Sequence, residues 1–120
     1  MTRTINQGDI YWVQLEDPSG SGPGVRHPHV IVQDNVFNHS RIHTVVACAL
    51  TSNIKRANTP GNVLLDLGEG NLSRLSVVEV SKVSTVDKAQ CSEYIGSLTE
   101  QRISQILAGM RFLQASFFAR

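Results

Sequence analysis

His43-Thr44-Val45-Val46-Ala47-Cys48-Ala49-Leu50-Thr51 is the stretch on which the reading of the fold turns. From His43 to Leu50 it is nearly all apolar and rich in β-formers, which is the pattern of a strand buried on both faces. Toward the N-terminus, His29-Val30-Ile31-Val32-Gln33 reads as a second strand, joined to the first by the turn Asp34-Asn35-Val36-Phe37-Asn38. Further back, Gly8-Asp9 opens another strand, Ile10-Tyr11-Trp12-Val13-Gln14-Leu15. Between these two lies Asp17-Pro18-Ser19-Gly20-Ser21-Gly22-Pro23-Gly24, with three Gly and two Pro in eight residues. That composition predicts a mobile loop.

Toward the C-terminus, Thr51 to Gly61 is a long polar connection and Asn62 to Leu67 a fourth strand. Gly68-Glu69-Gly70-Asn71 is a turn, and Ser76–Val80 with Val83–Val86 supply one or two further strands. The periodicity then changes. Ser97-x-x-Glu100 has the form of a capping box, with Thr99 as a competing N-cap. Behind it Ile103, Ile106, Leu107, Met110, Leu113 and Phe117 recur at three- and four-residue steps, which predicts a core-facing amphipathic helix. Consecutive strands closed by a helix give an α+β fold that is mainly β. The expected form is a small twisted antiparallel β-barrel with a C-terminal amphipathic helix.

The 120 residues are one domain, 1–120. The chain is 41% hydrophobic and 18% charged, which excludes a disordered chain. Eleven Lys and Arg against ten Asp and Glu leave a formal charge of +1, which argues against a polycation coating nucleic acid but not against a local basic site. Cys48 and Cys91 lack CxxC spacing, so neither a disulfide framework nor a zinc knuckle is expected. Met1–Gln7 has no apolar core of a signal peptide, and no apolar run reaches the roughly 20 residues of a membrane span. The expected location is cytoplasmic, with reduced thiols.

Polar residues able to do chemistry gather at strand ends and loops: Arg26-His27-Pro28-His29, then Thr51-Ser52-Asn53 with Lys55 and Arg56, then Ser81-Lys82. Arg offers a permanent charge and a planar fork for phosphate oxygens. His titrates near neutrality and serves as acid or base. His27 and His29 alternate along a strand, but two imidazoles do not make a metal site and no third ligand is marked; Asp34 and His43 are the nearest possibilities. No metal and no cofactor are expected. Walker, HExxH, GxSxG and GxGxxG motifs are absent.

The ordered segments resemble the MazF/PemK toxins of bacterial toxin–antitoxin modules over nearly the whole chain. Gly8-Asp9-Ile10-Tyr11-Trp12-Val13 is similar to the family's opening strand, and His27-Pro28-His29-Val30-Ile31-Val32 to its R-P-x-x-V strand. Val45 to Thr51-Ser52, Pro60-Gly61-Asn62-Val63, Ser76-Val77-Val78 and Val83-Ser84-Thr85-Val86-Asp87-Lys88 follow in family order. The resemblance implies a twisted β-barrel homodimer that cleaves single-stranded RNA, such as mRNA, without a metal. It also implies inhibition by a cognate antitoxin. The family's catalytic Thr falls on Thr51. Its catalytic Arg falls on His27 when the segment is aligned on Pro28, and on Arg26 when aligned on Gly24-Val25. Adjacent strand residues face opposite ways, so only one of the two should enter the groove.

On that footing the catalytic candidates are Arg26, His27 and Thr51. The RNA-binding candidates are Gln33, Asn35, Ser52, Asn53, Lys55, Arg56 and Lys82, with Trp12 and Phe37 as possible stacking residues. The reaction implied is attack of the 2′-OH on its own phosphorus, leaving a 2′,3′-cyclic phosphate and a 5′-OH. Two alternatives stand beside it. One is a CcdB-like, non-enzymatic toxin that binds gyrase through its C-terminal helix, although the chain ends Phe117-Phe118-Ala119-Arg120 without a Trp. The other is a catalytically weakened relative that only binds its antitoxin.

Overall fold

The computed structural model describes residues 3–15 and 25–115. The Gly/Pro/Ser-rich loop at 17–24 and the helical position Phe117 lie outside the described residues. Six strands form one sheet: β1 (Asp9–Leu15), β2 (Val25–Ile31), β3 (Thr44–Thr51), β4 (Val63–Leu64), β5 (Val77–Asp87) and β6 (Glu93–Ser97). Their order is β4-β5-β3-β2-β1-β6 and every pairing is antiparallel. The expected barrel is realised as a curled half-barrel, with β4 and β6 as its edges. A short helix, α1 (Asn35–Asn38), follows β2, and the terminal helix is α2 (Glu100–Leu113).

Alternation along the strands builds a core on each face. Ile10, Val30, Cys48, Leu50 and Val78 face α2, and Ile106 of the helix packs on them. Tyr11, Val13, Ile31, Val45, Ala47 and Val86 form a second cluster on the other face. β3 contributes to both, which is why its sequence is continuously apolar rather than alternating.

Local chemistry accounts for most element ends. Asp34 caps α1 by accepting from the Val36 N–H at 2.8 Å. Thr99, not Ser97, caps α2, accepting from the Arg102 N–H at 3.3 Å. Ser97 instead ends β6 and donates to Asp9 Oδ1 at 2.8 Å.

The structure corrects, decides or adds to the expectations at four points. The fourth strand is only Val63–Leu64, because Leu65 already turns into the connection toward the 3₁₀ turn at Glu69–Asn71. Of the one or two strands expected over Ser76–Val80 and Val83–Val86 there is one, β5, which starts at Val77 and is interrupted by a bulge in which Glu79–Lys82 stands opposite Ala49 alone. β6 was not expected, since Glu93-Tyr94-Ile95-Gly96-Ser97 carries no clean alternation. Finally, the helical stripe is only partly core. Ile106 and Gly109 are buried, whereas Leu107, Phe112 and Leu113 are exposed. The reason is the close approach at Gly109, whose Cα sits against the Gly61 carbonyl, so α2 touches the sheet along a narrow line.

Candidate functional site

β2 begins, β3 ends and β5 begins at the same end of the sheet, because Leu15 pairs with Val25 and Thr51 with Val77. A cavity of about 600 Å³ opens there. Trp12, Arg26, His27, Thr51, Ser52 and Arg74 line it, with Asn71, Ser73 and Ser76 along the same wall. That volume falls within the roughly 300–1,000 Å³ of ordinary ligand pockets.

The register answers how Arg26 and His27 differ. Arg26 opposes Gln14 and Pro28 opposes Trp12, so these four share the α2-facing side of the sheet. His27 opposes Val13 and His29 opposes Tyr11, on the other side. Both Arg26 and His27 reach the cavity because it lies at the strand ends. The Arg26 guanidinium is 4.8 Å from the centroid of the Trp12 ring and is ion-paired with Glu93 of β6.

His29 is 1% exposed, and its Nδ1 lies 2.9 Å from the His27 carbonyl. A carbonyl only accepts, so Nδ1 carries the proton and Nε2 is the bare nitrogen. That Nε2 is buried and, among the described residues, without a partner. Burial holds the imidazole below its usual pKa, and the nearby His27 works in the same direction against the carbonyl contact. His29 is therefore a neutral strut under the backbone of His27.

Thr51 ends β3 with its Oγ1 accepting from the Asn53 N–H at 3.2 Å. One lone pair is thus taken, and the hydroxyl proton is left to donate outward. The opposite wall runs from the 3₁₀ turn to β5. Asn71 adopts φ +61° and its Nδ2 donates to the Ile95 carbonyl at 2.9 Å, pinning this wall to β6. Gly96 permits that approach: a Cβ there would meet the Gly70 carbonyl oxygen at 2.2 Å. Ser76 Oγ donates to the Arg74 carbonyl at 2.9 Å and fixes the backbone just before β5.

The structure brings Arg26, His27, Thr51, Ser52 and Trp12 to one cavity and leaves the other candidates elsewhere. Gln33 and Asn35 follow the far end of β2, roughly 20 Å away along a seven-residue strand. There Gln33 Nε2 donates to Asn38 Oδ1 at 2.9 Å, and Asn35 Oδ1 accepts from the Gln7 N–H at 2.7 Å. Phe37 is half exposed at the same end. Asn53 caps a 3₁₀ turn, Ile54–Asn58, by accepting from the Lys55 N–H. Lys55 and Arg56 ride on that turn, exposed and outside the cavity lining. Lys82 lies on the β5 bulge, 3.3 Å from Glu79. Asn71, Ser73, Arg74 and Ser76 were missed, although a polar, Arg-bearing segment between a Gly-rich turn and an apolar strand is itself a signal.

Among the described residues no three His, Cys, Asp or Glu side chains converge to hold a metal ion. None of the described helices is long and apolar enough to cross a membrane.

The family profile of PemK-like, MazF-like toxins of type II toxin–antitoxin systems matches residues 6–113. Endoribonuclease MazF6 of Mycobacterium tuberculosis is 36% identical over 107 residues, covering 89% of this chain and 94% of the relative. An endoribonuclease solved in complex with its cognate antitoxin, from a mycobacterial species, superposes with a TM-score of 0.74 at 22% identity, covering 92% of this chain and 95% of that one. MazF in a MazE–MazF crystal structure from Deinococcus radiodurans gives 0.76 at 19% identity, covering 94% and 97%.

Proposed function

Because the chain belongs to the family of PemK-like, MazF-like toxins of type II toxin–antitoxin systems, we propose that it is a toxin endoribonuclease whose groove cuts single-stranded RNA. The observation that carries this reading is the meeting of His27 and Thr51 at adjoining strand ends in one cavity with Trp12 and two arginines. RNA brings its own nucleophile, so the protein has three tasks. It takes the proton of the 2′-OH, returns one to the departing 5′-oxygen, and stabilises charge on the phosphorane.

His27 suits the proton transfers, since an exposed imidazole has ring nitrogens that can both accept and donate a proton, whereas a guanidinium only donates. The buried His29 beneath it holds the strand that presents it. The Thr51 hydroxyl, already accepting from Asn53, donates to a nonbridging phosphate oxygen. Ser52 lies beside it in the cavity for a second contact. Trp12 offers an aromatic face for a splayed base. The products are a 2′,3′-cyclic phosphate and a 5′-OH.

The working unit of this proposal is a cytoplasmic homodimer held inactive by a cognate antitoxin. Leu107 and Phe112, exposed on α2 and lining one shallow depression with Met110, support a face for association. The test is incubation of the purified protein with a long RNA, with and without EDTA, and mapping of 5′-ends and terminal phosphates. Discrete cuts bearing cyclic phosphates are expected, lost in His27→Ala and in Thr51→Ala. Intact RNA at every protein concentration overturns the enzymatic reading in favour of a protein that only binds its antitoxin.

A further inference from the structure

Two arginines line the groove, and their surroundings differ. The charge of Arg26 is already matched: its guanidinium pairs with Glu93 and lies over Trp12. Trp12 and Glu93 are register partners on β1 and β6, so the pair is set by the sheet itself rather than by loop position. A phosphate approaching Arg26 would find one end of its fork taken by Glu93 and would meet that carboxylate's charge.

Arg74 is the opposite case. Among the described residues its guanidinium has neither an ion pair nor a hydrogen bond. Its backbone, however, is held on both sides. Leu72 and Ser76 are 7% and 5% exposed, and the Arg74 carbonyl accepts from Ser76 Oγ. Three residues further on, Val77 is the register partner of Thr51. An exposed, uncommitted guanidinium thus rises from a fixed base beside the strand that carries the Thr51 hydroxyl. A phosphorane carries charge that must be met by a cation placed in advance, and an arginine fork suits its oxygens.

We infer that Arg74 is the phosphate clamp of the groove, and that Arg26, neutralised by Glu93, is a positioning residue that steadies the Trp12 face. This rests on the endoribonuclease reading and specifies which residue supplies its positive charge. It also resolves the two alignments of Arg26 and His27 without requiring either to act as the clamp. His27 keeps the proton transfers and the cation comes from across the groove.

The test is single-turnover cleavage of a short RNA spanning a mapped wild-type cut, by wild type, Arg74→Ala, Arg74→Lys, Arg26→Ala and Glu93→Gln. Arg74→Ala is expected to lower the cleavage rate by about 100- to 1,000-fold, the usual effect of removing one donor to a developing oxyanion. Arg74→Lys recovers part of this, because a point charge replaces a fork. Arg26→Ala acts mainly on KM, by a few-fold, as breaking an exposed ion pair does. Glu93→Gln tightens binding.

A second readout uses the same RNA with 2′-O-methyl groups, which binds but cannot react. Its affinity in Arg74→Ala should depend less on salt, the slope of log K against log salt falling by about 0.7 for one lost phosphate contact. Thermal melting of Arg74→Ala should match wild type, since the side chain holds no partner among the described residues. A wild type that cuts while Arg74→Ala cuts equally well, or an unchanged salt slope, overturns the clamp and leaves the function standing. A wild type that cuts no RNA overturns both.

Discussion

Gly96 gives the sharpest link between packing and the groove. Replacing it by Ala places a Cβ 2.2 Å from the Gly70 carbonyl oxygen, 2.6 Å from its carbon and 3.0 Å from Asn71 Cβ. Carbon atoms prefer separations of about 3.5–4.0 Å, so β6 and the 3₁₀ turn must part by roughly 1 Å. Overpacking of this kind costs about 1–3 kcal/mol. The Asn71 Nδ2–Ile95 carbonyl bond, 2.9 Å long, is stretched as well, and its loss adds about 1 kcal/mol. The opposing gain from stiffening the unfolded chain is only about 0.4–1 kcal/mol.

Gly96→Ala should therefore melt roughly 10 °C below wild type for a domain of this size. Gly68→Ala is the control. Its φ of +82° is strained for Ala but nothing lies within 4 Å, so the cost is about 1–2 kcal/mol and the groove wall stays in place. Because the displaced turn leads directly to Ser73 and Arg74, a shift of about 1 Å should also slow RNA cleavage about 100-fold at a temperature where both variants are folded. Differential scanning calorimetry and a cleavage time course supply the two numbers. A Gly96→Ala protein that melts with wild type and cuts at its rate would refute the close-approach argument.

Other outcomes follow from the same geometry. His29 is neutral in the fold because burial lowers its pKa, so the unfolded chain binds a proton more readily. Stability should fall as pH drops below about 6.5, and His29→Asn, which keeps a donor but does not titrate, should flatten that slope in pH-dependent melts; an unchanged slope argues against a buried neutral imidazole. Arg102 forks Glu69 through Nε at 2.8 Å and Nη2 at 3.0 Å, both side chains being mostly buried. Arg102→Ala should cost about 1.5–3 kcal/mol by denaturant titration, as hydrogen bonds to charged groups do. Burial alone would raise the Glu69 carboxyl, but the Arg102 hydrogen bond, the Asp66 N–H and the Arg102 charge together hold it below its usual value. That stabilisation is full above about pH 4.3 and lost as pH falls through the folded pKa, so the two proteins should converge in acid. Cys48 and Cys91 are buried with thiols pushed up to about 11. Neither should react with a disulfide reagent at pH 8 before unfolding, and rapid labelling of the native protein would contradict their burial.

The strands with strong one-dimensional patterns were legible in the sequence. β1, β3 and α2 declare themselves through β-branched runs, a two-faced apolar stretch and a helical repeat. β6 does not, because an edge strand that faces groove and solvent has no reason to alternate. The meeting of Arg26, His27, Thr51 and Ser52 was expected from the family resemblance, and its physical reason is that β2 begins where the antiparallel β3 ends. Gln33, Asn35 and Phe37 fall outside that cluster because they lie past the other end of β2. The proposed role of Arg74 was not readable, because it rests on the lack of an ion pair among the described residues. An arginine without a carboxylate neighbour looks like any other until Glu93 is seen to have chosen Arg26.

β6 also sets an order in time. Asp9 and Ser97 are register partners and share a side-chain hydrogen bond across 88 positions of sequence. Contacts so distant form late, after the loop between them has closed. During synthesis from the N-terminus, β1 therefore waits for nearly the whole domain before its second neighbour exists. Until then Glu93 cannot reach Arg26, and the wall bearing Asn71 has no Ile95 to hold it. A chain grown only as far as Arg74 therefore carries most of the groove residues but not Ile95, the part of the wall that β6 supplies.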